Sequence, residues 1–214
     1  MTASRLSQII CGMSGKRPFF YSEADFQHNL ANELRQTGYT VYLEYPIGGY
    51  HIDIILEKDG MFYPIELKYK TCLTKCQDLF KNSVTLKNHG ASDIARYSFW
   101  KDVYRIEQIK ANWADGRIAE GYVVMLTNDE KLWTPKAQKG IDSVFEIFQS
   151  HQVKKVEWGG AKNNYAPDYK AGTTWYKAFT LSKTYTVPKW NDYSGGVCAI
   201  DRKNKAFRFL TIAV

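Results

Sequence analysis

The chain has 214 residues, 44% hydrophobic and 24% charged, a balance that excludes a disordered polymer and fits an ordinary soluble globular protein. No apolar run approaches the roughly 20 residues of a membrane span, the N-terminus carries no secretory apolar segment, and Cys11, Cys72, Cys76 and Cys198 are too scattered for a disulfide scaffold. Of the net charge of +7, little resides in residues 1–128, with 15 basic and 14 acidic side chains, and most in residues 129–214, with 14 and 8. The expectation is a cytoplasmic protein with reduced thiols and no membrane, whose basic C-terminal part can attract a polyanion.

In chain order, residues 1–20 read as a mixed lead-in. Ser22 can cap a helix, with Asp25 at the capping-box position; Phe26, Leu30 and Leu34 then mark one buried face, and Gly38 ends it. Three strand-like runs follow: residues 39–45, aromatic and β-branched; 50–56, with Ile52, Ile54 and Leu56 on one face; and 61–69, entered through the Asp59-Gly60 turn. Residues 70–92 read as polar and irregular, with room for a short helix near Asp78. A long helix is expected over 93–110, carrying Ile94, Tyr97, Val103, Ile106 and Ile109, and the run 121–127 (GYVVMLT) is a buried strand. Beyond it, 141–149 reads as helical, 153–158 as a short strand and 207–214 as a final apolar strand. Residues 159–190 mix lysine, tyrosine and tryptophan with glycine and proline breaks, and this whole last part is expected to extend or cover the same sheet rather than to form a second domain.

The third run carries chemistry. Side chains alternate along a strand, so Ile65, Leu67 and Tyr69 share one face and Glu66 and Lys68 the other. If the second and third strands pair through Asp59-Gly60, Asp53 faces the same side as that pair. Two carboxylates and an ammonium are what phosphodiester hydrolysis requires: the acids hold Mg²⁺, the metal lowers the pKa of the attacking water, and the lysine orients or helps deprotonate that water and stabilises the transition state. The acid-x-Lys triplet alone is weak, since it recurs at Asp129, Asp168 and Asp201, and in isolation it reads as a solvated strand face with a weak Glu–Lys pair. Only Glu66-Leu67-Lys68 lies in an alternating strand just after another strand with an embedded Asp.

This arrangement resembles the PD-(D/E)xK nuclease superfamily, the restriction-endonuclease-like fold, over about residues 22–127. Asp53, then twelve residues, then Glu66-Leu67-Lys68 matches its signature, with Ile52 standing where the signature names Pro. Residues 87–109 and 121–129 look similar to uncharacterised bacterial members. The resemblance implies an α/β fold with an α-β-β-β-α-β core and a mixed central sheet, one nuclease-like domain over 1–214, and a β-rich basic extension over about 128–214. It implies Mg²⁺, for which Mn²⁺ could substitute, held by Asp53 and Glu66 with help from Glu23. The family's leading helix often supplies such an acid; alone, Glu23 also reads as an acid favourably placed at a helix N-terminus.

Residues 153–190 hold seven lysines, two acids and eight aromatics. They suit a nucleic-acid groove, with Lys170, Lys177 and Lys183 on phosphates, and equally a twisted β-region whose aromatics pack on the core. Lys70, next after Lys68 on the same face, can reach a flanking phosphate. His51 flanks Asp53, and Asp93 and Arg96 suit a local i,i+3 pair. The expected activity is a DNA endonuclease, with a homodimer if both strands are cut. The alternatives are a nucleic-acid-binding protein of the same fold without useful catalysis, or an interaction protein of a bacterial defence or mobile-element system.

Overall fold

Two tight turns fold the first strands into a meander. In the computed structural model, which describes residues 1–78, 80–113, 115–159, 177–193 and 206–214, β1 (Thr40–Ile47), β2 (Tyr50–Lys58) and β3 (Met61–Lys70) are successive antiparallel neighbours. Gly48 and Gly49 have φ of +55° and +82°, and Asp59 and Gly60 have +55° and +75°. Positive φ at both central residues is what a two-residue type I′ hairpin loop demands.

From β3 the chain crosses over through α3 (Ser92–Asn112) and returns as β6 (Tyr122–Thr127), parallel to β3 from Ile65↔Tyr122 to Lys70↔Thr127. All six residues of β6 are buried, as expected of a strand covered on both faces. Then β10 (Arg208–Ala213) pairs antiparallel with β6 and β9 (Asn191–Asp192) with β10, giving the order β1-β2-β3-β6-β10-β9 in a mixed sheet. The C-terminal strand therefore extends the sheet.

Helices cover both faces. On one lie α1 (Ala3–Met13) and α2 (Glu23–Arg35), packing Leu6, Ile10, Phe26 and Leu30 against Ile65, Leu67, Tyr69, Val124 and Phe209. On the other lie α3 and a hairpin of β7 (Gln152–Val156) and β8 (Phe179–Thr186), packing Trp100, Val103, Val156 and Leu181 against Val123, Met125, Leu210 and Ile212. Ser22 caps α2 by accepting the Asp25 amide at 3.1 Å, as its sequence predicts.

Three expectations change. Residues 3–13 form a helix, not a lead-in, because Thr2 caps it and Leu6, Ile10 and Met13 make a buried stripe. Residues 70–92 hold a hairpin, β4 (Thr74–Gln77) with β5 (Ser83–Leu86), where a short helix was expected. The Asp78 carboxylate accepts the amides of Phe80 (2.9 Å) and Asn82 (2.7 Å), and its carbonyl accepts the amide of Lys81 (3.0 Å), closing the turn of the hairpin. Residues 141–149 contain only a 3₁₀ turn, Ser143–Phe145. The carbonyls of Phe145 and Ile147 accept the indole N–H groups of Trp100 (2.9 Å) and Trp190 (2.7 Å), bonds that replace a helical ladder.

Candidate active site

The pairing of β2 with β3 runs from Lys58↔Met61 to Ile54↔Ile65 and stops, while β2 stays on β1 as far as Tyr50. Past this fork the outward amides of β3 have no strand to bond. Leu67 and Tyr69, two apart, point their N–H groups to the same edge. Leu67 donates to Asp53 Oδ2 at 2.6 Å and Tyr69 donates to Glu23 Oε2 at 2.7 Å. Two carboxylates, one from β2 and one from the first turn of α2, thus take the place of a missing strand. Charge-assisted bonds of this kind contribute about 1.5–3 kcal/mol each and fix both acids at the fork.

Glu66 and Lys68 stand beside them on the face toward α3. Glu66 is 1% exposed and Asp102 of α3 is 2% exposed. Asp102 Oδ2 lies 2.7 Å from Lys68 Nζ, and its other oxygen accepts from Arg105. Arg105 also approaches Glu66 Oε1 at 3.2 Å. That oxygen, though buried, makes no hydrogen bond. The structure therefore brings together all four residues expected from sequence, Glu23, Asp53, Glu66 and Lys68, and adds Asp102 and Arg105.

Four carboxylates meet two cations here, and the proton affinities register the imbalance. Burial raises the Glu23 carboxyl against the pull of Lys68, and raises Asp53 against its bond from Leu67. Burial, then the charge of Asp102, pushes Glu66 up to about 9 despite Arg105. Asp53 and Glu66 also act on each other, their two carboxyl groups lying side by side at the fork. Burial alone would depress Lys68, but Asp102, with Glu23 and Glu66, holds it above its usual value. Lys68 is a fixed ammonium, suited to orient water and stabilise charge and unsuited to act as a base.

The donors at the fork are carboxylate oxygens, the ligand type that hard divalent cations take. Asp53 and Glu23 each spend one oxygen on a backbone amide and retain a second, and Glu66 keeps an oxygen without a hydrogen bond. Among the described residues, no group of three or more His, Cys, Asp or Glu side chains is arranged to hold a metal ion.

The remaining expected residues lie elsewhere. Lys70 donates to the His89 carbonyl at 3.2 Å, and burial lowers its pKa. His51 is exposed on β2 opposite Pro46. Arg96 does not pair with Asp93; it is buried against Asp142 at 2.7 Å and the Lys131 carbonyl, while Asp93 accepts the Ile94 amide. Lys177 and Lys183 are exposed, the latter 4.9 Å from the Tyr185 ring centre; Lys170 and Cys198 lie outside the described residues. Trp158, Tyr185 and Trp190 are buried in the core around α3, and Phe179 packs against it, so these rings follow the packing reading. Cys11 and Cys72 are not disulfide-bonded.

Gln27 was also missed. One turn after Glu23, it donates to Glu44 Oε1 (2.7 Å) and to the Asp53 carbonyl (2.6 Å), tying α2 to β2 at the fork. A polar residue between Phe26 and Leu30 on a buried face was the signal available in the sequence. No helix among the described residues is long and apolar enough to cross a membrane. Comparison with protein-family models, curated proteins and solved structures finds no match to this chain.

Proposed function

We propose that this chain is a divalent-metal-dependent nuclease of the restriction-endonuclease-like type, acting on DNA through Glu23, Asp53, Glu66 and Lys68. The observation that carries the reading is the excess of carboxylate at a sheet fork, two acids bonded to alternate amides of β3 with Glu66 and Lys68 beside them. The order α2-β1-β2-β3-α3-β6 supports it, since the restriction-endonuclease-like core has that order of elements. A protein that only bound DNA would gain nothing from crowding acids beside a phosphate.

In this reading Asp53 and Glu66, assisted by Glu23, hold Mg²⁺ or Mn²⁺, which would lower the pKa of the attacking water and neutralise charge on the phosphate. Asp102 keeps Lys68 charged and aimed, so that its ammonium meets the water and the charge gathering on the phosphate oxygens. Arg105 balances the acids until the cation arrives. The exposed lysines of the C-terminal part supply the long-range attraction for DNA. A second copy of the chain would be needed to cut both strands at one position.

Calorimetric titration with Mn²⁺ tests the reading. The wild-type chain should bind, and Asp53→Asn should weaken binding by roughly tenfold or more while keeping its fold. Equal binding by both would remove Asp53 from the site and leave a self-neutralised ionic cluster, the binding-protein alternative.

A further inference from the structure

A cleft of about 620 Å³ opens between the β1–β2 hairpin and α3, and Arg105 forms part of its wall. That volume lies in the range of small-ligand sites. Tyr45 and Tyr50 line it from the hairpin, Tyr104 and Trp113 from α3 and its C-terminal end, and Lys101 and Arg105 stand along the helix one turn apart. Three of the rings are braced: Tyr45 against Tyr42 (6.0 Å between centres), Trp113 against Phe62 (5.4 Å) and Tyr104 against Phe179 (5.1 Å). Tyr50 is 56% exposed, and the Arg105 guanidinium lies 5.8 Å from its ring centre. The same guanidinium touches Glu66 and Asp102, so cleft and carboxylate cluster share a wall.

We infer that this cleft holds an unpaired nucleobase of the strand being cut, so that the preferred substrate is single-stranded DNA or DNA unpaired at the cut. The inference rests on the nuclease reading and adds its substrate class. A base pair within a duplex hides its faces in the stack, whereas an unpaired base offers a face to aromatic rings. Lys101, one turn from Arg105 on the same side of α3, is placed for the flanking phosphate. Gln108, on the next turn, presents an amide donor and acceptor suited to a base edge, and Asn112, whose amide nitrogen donates to the Gln108 carbonyl at 2.8 Å, adds an amide oxygen. Aromatic faces, amides and two cations beside a phosphodiester site together fit a nucleotide better than an apolar peptide.

Fluorescence anisotropy of the full chain in chelator, with a short oligodeoxynucleotide single-stranded and as its duplex, tests this. Tyr50→Ala should weaken single-strand binding roughly five- to a hundredfold, the range expected for a single base stacked on a ring, while duplex affinity moves by no more than about twofold. Tyr50→Phe, which keeps the ring, should restore binding; Trp113→Ala should act like Tyr50→Ala, with melting curves confirming the fold. Equal losses on both substrates, or none, would overturn the inference. So would displacement of the strand by thymidine monophosphate at comparable concentration, which would make the cleft a free-nucleotide site. The two readings fail separately. Tyr50-dependent strand binding without cleavage under any metal would end the nuclease reading and keep the cleft; metal-dependent cleavage with strand binding indifferent to Tyr50 would do the reverse.

Discussion

A buried carboxylate is stabilised only by what surrounds it, and Glu66 has two acids, Asp102 and Asp53, set against two cations, Arg105 and Lys68. Its folded pKa of about 9 stands above its ordinary 4.5. Between those values the folded chain keeps a proton that the unfolded chain has lost, so stability from this group is complete below about pH 4.5 and declines as pH rises toward about 9. Glu66→Gln, which cannot ionise, should therefore melt increasingly above wild type as pH rises through that window in chelator. The gain should reach several degrees, at roughly 2–4 °C per kcal/mol for a chain of this size. A melting difference independent of pH would show that Glu66 is already ionised. Asp102 acts through Lys68 and is a positioning residue. Asp102→Asn should lower kcat about 10- to 100-fold with little change in KM, and Asp102→Glu should recover part of it. A change confined to KM would mean that Asp102 serves binding instead.

At the scale of elements, α3 packs tightly against the chain where it re-enters the sheet just before β6. A Cβ on Gly121 would stand 2.3 Å from Ile106 Cγ2 and 3.3 Å from Pro64 Cγ. Ile106 is β-branched and fully buried, so it has little freedom to yield. Gly121→Ala should destabilise by about 1–3 kcal/mol, and Ile106→Val should partly rescue it if this contact is the cause. No loss in Gly121→Ala, read from denaturant unfolding, would show that α3 shifts freely. This packing also explains what could be read in advance. The clustering of Asp53, Glu66 and Lys68 was legible because alternation and a two-residue turn are local properties, whereas Glu23 was suggested by the resemblance and read locally only as an acid at a helix N-terminus. Asp102 and Arg105 were not legible, since an acid and a base three apart on a helix look like a solvated surface pair. Their burial comes from β3, more than thirty residues earlier. The stretch 141–149 misled for a related reason: Trp100 and Trp190, both distant in the chain, claim its carbonyls. For α1 the signals, Thr2 and the Leu6–Ile10–Met13 spacing, were present but unweighted.

For the whole molecule, the division of charge sets how DNA would be met. Residues 129–214 hold 14 basic and 8 acidic side chains, while the fork itself is rich in acid. Binding should therefore depend on lysines away from the site. Replacing Lys177 and Lys183, together with Lys170, by Gln should flatten the slope of log affinity against log salt by about 0.7–0.9 for each phosphate no longer neutralised. An unchanged slope would leave these lysines as solvated surface. The nuclease reading itself meets its most direct test at Lys68. Wild type and Lys68→Ala, purified identically and matched by melting curve, would be assayed with Mg²⁺ and Mn²⁺ on supercoiled, linear, single-stranded and branched DNA. Wild type should cut, and the variant should lose on the order of a hundredfold or more in rate while still binding DNA, because the ammonium acts mainly in the transition state. Cleavage by the variant at the wild-type rate, or none by either chain on any substrate, would contradict the account.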